Sequence, residues 1–224
     1  ADRWQKHPYN PANNVNYTPD ESGLPVAVEY TPAPWPTEHP FFHSVPALDN
    51  NPLVLKYQQA FVDKLLSVAL PFPNVLYCMN NEVGERVEWG DYWADYVRTR
   101  AAEAGKRVET ADMRRNSDIT ASDHQHLVAH PDRYTFIDIS QNNANRGQVH
   151  GDRIRQMRAL IADHPRPLNN TKVYTFDPDN NVALARWWRD ILEGCASARF
   201  HRPHPLEGVD DHEKWSDVGL GLSP

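Results

Sequence analysis

Residues 1–51 show no sustained spacing of apolar positions and hold many Pro and Asn, as in Asn10-Pro11-Ala12-Asn13-Asn14 and Thr31-Pro32-Ala33-Pro34-Trp35-Pro36. This stretch reads as a long loop layer. From Asn51 onward the pattern becomes regular. Pro52 stands at a helix start, and Val54, Tyr57, Phe61, Val62, Leu65 and Leu66 follow on one face at helical spacing. Asn74–Met79 is a short apolar run of the kind a parallel sheet buries on both sides. A second helix presents Trp89, Tyr92, Trp93, Tyr96 and Val97 on one face, with Gly105 as its stop signal. The cycle repeats through a strand at Arg107–Asp112, a capping box Ser122-x-x-Gln125 opening a short helix, and a strand at Tyr134–Ser140. A helix with Ile154, Met157, Leu160 and Ile161 on one face comes next, then a strand at Leu168–Thr175. Leu184, Trp187, Trp188, Ile191 and Leu192 mark a last helix closed by Gly194, and Ala196–His201 a last strand.

Five strands alternating with helices predict parallel α/β architecture. A doubly wound sheet usually brings a Gly-rich phosphate loop after its first strand, and this chain has none. The expected fold is therefore a TIM-type (β/α) barrel, with residues 52–203 as the barrel units, 1–51 as loops at its mouth, and 204–224 as a polar tail. In such a barrel the chemistry sits at the C-terminal ends of strands. Asn80-Asn81-Glu82 follows Asn74–Met79 at such an end. A carboxylate there can give a proton to a glycosidic oxygen, and the neighbouring amide can bind a sugar hydroxyl. The same Glu82 would also serve as a helix cap or as the partner of Arg86 four residues on.

Asn74–Glu82 resembles the fourth strand of clan-A glycoside hydrolases, where Asn-Glu carries the acid/base. Tyr57-Gln58-x-x-Phe61-Val62 and Trp187-Trp188-Arg189-x-x-Leu192-x-Gly194 are similar to the apiosidase-like barrels and their uncharacterised relatives. The likeness covers roughly residues 52–203. It implies an eight-stranded barrel acting on a polysaccharide in an extracellular or periplasmic setting, with Asn74–Met79 as strand four and Ala196–His201 as strand eight. Residues 1–51 do not read as the first three strand–helix units. The expectation is a partial barrel: a piece of a longer protein, or an open barrel that self-associates or is completed by another chain.

In the resembled family the seventh strand supplies a nucleophilic Glu, and Thr171 occupies that position here. Asp177 is the chosen replacement, with Asp112 and Asp138 as the other available carboxylates. Asn81, Gln141, Asn142, Asn143, Tyr174, His201 and Arg202 are the candidate sugar contacts. Asn-rich loops also stabilise their own turns, which is the plainer reading of several of these. Thr171 supports an alternative function: a carbohydrate-binding or structural protein derived from a glycosidase.

Composition narrows the field. The 224 residues carry a formal charge of −7 with both signs interspersed, so no basic stripe suits nucleic acid. No apolar run approaches the roughly 20 residues a membrane span needs, and the polar Ala1–Asn16 lacks a signal-peptide layout. Seven Trp and 19 Pro suit ordered loops lined with rings, as in a carbohydrate cleft. The two cysteines, Cys78 and Cys195, lie in apolar stretches and read as buried thiols. The 11 histidines include two close pairs, His124-x-His126 and His201-x-x-His204, but no zinc motif. Neither a metal nor another cofactor is called for.

Overall fold

A computed structural model describes residues 2–28, 39–84, 86–174 and 180–201. The chain divides into two compact units, one from residues 1–75 and 84–108, the other from 76–83 and from 109 onward.

In the first unit, residues expected to form a plain loop layer build a small core. Short helices α1 (Asp2–Gln5) and α2 (Pro19–Ser22) pack with the long helix α3 (Pro52–Ala69) around Trp4, Tyr17, Leu24 and Val54. The Asn and Pro residues hold this layer by specific bonds. Asn10 donates from its amide to the carbonyls of Trp4 and Val26, and the Trp4 indole donates to Pro25 at 2.6 Å. Thr18 and Glu21 form a reciprocal capping box at the start of α2. Asn51 caps α3 by accepting from the Val54 amide, with Pro52 in the first turn. The buried side of α3 is Val54, Leu55, Gln58 and Leu66, whereas the predicted face residues Phe61 and Leu65 are exposed. Helix α4 (Val87–Glu103) buries Trp89, Trp93 and Val97 as its spacing predicts, and Phe41 and Phe42 pack on Trp89. Gly105 ends it in the left-handed region at φ 67°.

All five strands of the second unit fall where the sequence places them, but they do not close a barrel. β1 (Leu76–Cys78) pairs in parallel with β2 (Glu109–Ala111), and β3 (Ile137–Asp138), β4 (Leu168–Tyr174) and β5 (Ser197–His201) form a separate parallel sheet in that order. This overturns the expected TIM-type barrel, partial or complete. Two features explain it. No strand precedes Leu76 among the described residues, so nothing there extends the β1 edge. Between β2 and β3 the ladder gives way to side-chain bonds: Thr110 donates its amide to the Thr135 hydroxyl and its own hydroxyl to the Arg133 carbonyl, while Thr135 donates its amide to Thr110. The hydroxyls occupy groups a continuous sheet would pair.

Helices α5 (Ser122–Ala129), α6 (Gly147–Leu160) and α7 (Asn180–Leu192) connect the strands. The expected capping box at Ser122 does not form: Ala121 holds the N-cap position, and Gln125 reaches back to the Thr120 carbonyl instead. Helix α6 buries Ile154 and Met157 as predicted, though Leu160 is exposed. Helix α7 inverts the prediction. Ala183, Arg186 and Asp190 are buried, while Leu184, Trp188, Ile191 and Leu192 face solvent. Cys195 is buried and Cys78, expected buried, is exposed; both are free thiols. No helix among the described residues is long and apolar enough to cross a membrane.

Candidate functional site

The strand ends of the second unit converge on Glu82. After β1, the Met79 amide still bonds the Ala111 carbonyl, and pairing resumes only when Val83 donates to Met113 and accepts from Arg115. Four residue steps on one side oppose two on the other, so Asn80–Glu82 bulges out of the ladder. Glu82 sits in this bulge at φ 57°. For a non-glycine residue this backbone costs on the order of 1 kcal/mol, and such strain clusters at functional positions.

Lys172 of β4 meets Glu82 across the strand ends. Its ammonium bonds the Glu82 carboxylate and donates to the Asn81 side-chain oxygen at 2.5 Å. The Tyr174 hydroxyl donates to the same carboxylate at 3.3 Å, and Gln141 adds a further side-chain bond. Burial by itself would push the Glu82 carboxyl up, but the bond and charge of Lys172, with Gln141 and Tyr174, hold it below the ordinary carboxylate value of 4.5. Glu82 is therefore ionised at neutral pH. The His201 ring lies 5.2 Å from that of Tyr174, edge to face.

A buried network holds Lys172 in place. The Asn170 side-chain oxygen accepts from the Lys172 amide at 3.0 Å, and the Asn143 amide group donates to both Asn170 and the Lys172 carbonyl. Asn170 in turn donates to Asp190 of α7 at 2.9 Å. Asp138 is also buried nearby. Burial raises its carboxyl to about 6, against bonds from Ser140 and the charge of Lys172.

Of the sequence-predicted residues, the fold brings Glu82, Asn81, Gln141, Tyr174 and His201 together. Asn142 does not join them. It is fully buried, donates to the His150 carbonyl at 3.0 Å and accepts from Asn145, so it shapes the turn after β3. Asn143 likewise serves the scaffold through Lys172. Asp112 is fully buried and accepts from Arg114 at 3.0 Å. Asp177 and Arg202 lie outside the described residues. Thr171 accompanies Ser140: its amide donates to the Ser140 hydroxyl at 2.9 Å and the two hydroxyls are 3.0 Å apart. The sequence reading missed Lys172. A lysine inside a strand of a parallel sheet was the available signal, because a buried ammonium needs a charged or polar partner.

His124 is buried with its Nε2 2.8 Å from the Asn116 carbonyl, and the His126 ring lies tilted against that of His130, with centroids 4.3 Å apart. Among the described residues no group of three or more His, Cys, Asp or Glu side chains is placed to hold a metal. No family model, curated protein or solved structure matches this chain.

Proposed function

We propose that the chain acts on carbohydrate at the Glu82 site as a glycosidase-type hydrolase. The observation that carries this reading is the strand-end carboxylate held ionised by Lys172 and bordered by Tyr174, Asn81, Gln141 and His201. Glycoside hydrolysis uses two carboxyl groups, one that protonates the leaving oxygen and one that works ionised, as base or nucleophile. Glu82 suits the ionised role, not the proton-donor role that its position after β1 suggested. The amides, phenol and imidazole around it offer donors and acceptors suited to sugar hydroxyls. The reading rests on these side chains, not on a barrel.

A second reading, carbohydrate binding without hydrolysis, is favoured by one observation. Thr171, at the position where the resembled family has its nucleophile, is tied to Ser140. One experiment separates the two. Reducing-sugar release from a polysaccharide panel is measured for the wild type and Glu82→Gln, with oligosaccharide binding measured in parallel. Release that is lost in the folded variant supports hydrolysis. Binding without release supports the second reading, and a folded wild type that neither binds nor cleaves any glycan refutes both.

A further inference from the structure

At the opposite ends of the strands lies an open pocket of about 520 Å³, lined by Arg155 and Arg158 of α6, Arg166 before β4, and the apolar Ile161, Pro165 and Leu168. Its three guanidiniums are not equally neutralised. Arg155 is paired with Asp152 and Glu193. Arg158 donates only to the Glu193 carbonyl, at 2.8 Å, which leaves most of a guanidinium's N–H donors unspent among the described residues. Arg166 donates to the carbonyls of His164, Leu127, Tyr134 and Val128, closing the end of α5. Carbonyls satisfy its hydrogen bonds without cancelling its charge, and burial lowers its pKa accordingly.

Gly194 completes the wall. At φ 89° it takes a backbone that other residues rarely adopt, and a Cβ there would stand 2.9 Å from the Arg158 guanidinium. The bare backbone leaves that guanidinium its place at the pocket. Ile161 and Leu168 are buried, so the pocket joins an apolar lining to a cationic rim. Its volume exceeds what an inorganic ion needs and falls in the range of small-molecule sites, roughly 300–1,000 Å³.

We propose that this pocket binds a small organic anion, an apolar body bearing one phosphate or carboxylate, with the oxyanion on Arg158 and Arg166 and the apolar part against Ile161, Pro165 and Leu168. The open fork of Arg158 suits either oxyanion through paired charge-assisted bonds, and Arg166, four of whose five N–H donors are held by carbonyls, adds its charge and a single donor. The inference is independent of the Glu82 site, which lies at the other ends of the strands.

The test is an NMR titration of the whole chain with phenyl phosphate, benzoate and neutral phenol, following the backbone amides of Gly194 and Leu168 and the side-chain Nε–H of Arg158. An anionic probe is expected to shift these signals saturably while phenol does not, and the tighter of the two assigns phosphate or carboxylate. Arg158→Gln, an exposed substitution expected to leave the fold intact, should weaken binding by about tenfold or more, and Arg158→Lys should recover part of it. No saturable shift with either anion, equal shifts with phenol, or unchanged binding in folded Arg158→Gln overturns the proposal.

Discussion

Asp190 is fully buried in α7, with its Oδ1 3.6 Å from Nε2 of the equally buried His150. Burial raises the Asp190 carboxyl from 3.8 to about 7, against bonds from Asn170 and Cys195 and the charge of Arg186. Burial, aided by Arg186 and Arg189, lowers His150 from 6.5 to about 4. A raised carboxyl contributes stability that is complete below 3.8 and is lost as pH rises through about 7. A lowered histidine does the reverse: its contribution is complete above 6.5 and is lost as pH falls through about 4. In the wild type the two slopes largely cancel between these limits. Asp190→Asn removes the first slope, and its side-chain oxygen can still accept from Asn170. At about 1.4 kcal/mol per pH unit of displacement, the variant should gain on the wild type by on the order of 4 kcal/mol between about pH 4 and pH 8. Urea unfolding at the two ends of that range measures the difference. Parallel stability curves for variant and wild type, or a variant that loses ground as pH rises, would refute the reasoning.

Lys172→Met should raise the Glu82 carboxyl above its wild-type value and push the Asp138 carboxyl higher still, because Lys172 lowers both; carbon-detected NMR titration of the side-chain carboxyls reads both shifts, and an unmoved Glu82 would sink the assigned pairing. Thr18→Ala removes the reciprocal cap on α2 and should cost about 1 kcal/mol, measured by chemical unfolding. Met157→Ala empties a fully buried position on α6 and should cost about 2–5 kcal/mol; a loss below about 1 kcal/mol would show that this core repacks around the gap.

Periodicity located the strands because each is a short apolar run bounded by Pro, Gly or polar residues, although Asn74–Met79, read as buried on both faces, leaves Leu76 and Cys78 exposed. It did not reveal how the strands assemble. That depends on a few hydroxyls at Thr110 and Thr135, which interrupt the ladder and leave no periodic trace. Helix α7 misled for a related reason. Its apolar residues share one stripe, yet the buried side is held by Arg186 and Asp190, whose burial depends on partners distant in sequence, such as Asn170. At the site, Glu82, Asn81, Gln141 and Tyr174 were legible as polar groups at strand ends. Lys172 was not, because its role depends on a partner some ninety positions away in the chain.

The break between the two sheets also has a dynamic side. Glu82 belongs to the loop after the two-stranded sheet and Lys172 to the three-stranded one, so their ion pair acts with the Thr110–Thr135 bond as a clasp. Cooperative units of a protein open separately where few hydrogen bonds join them. The amides of β1 and β2 should therefore exchange hydrogen faster than those of β4. A molecule seated on both Glu82 and Lys172 would hold the clasp shut and slow that exchange, so occupancy of the site would be read in backbone protection several residues from the contact itself.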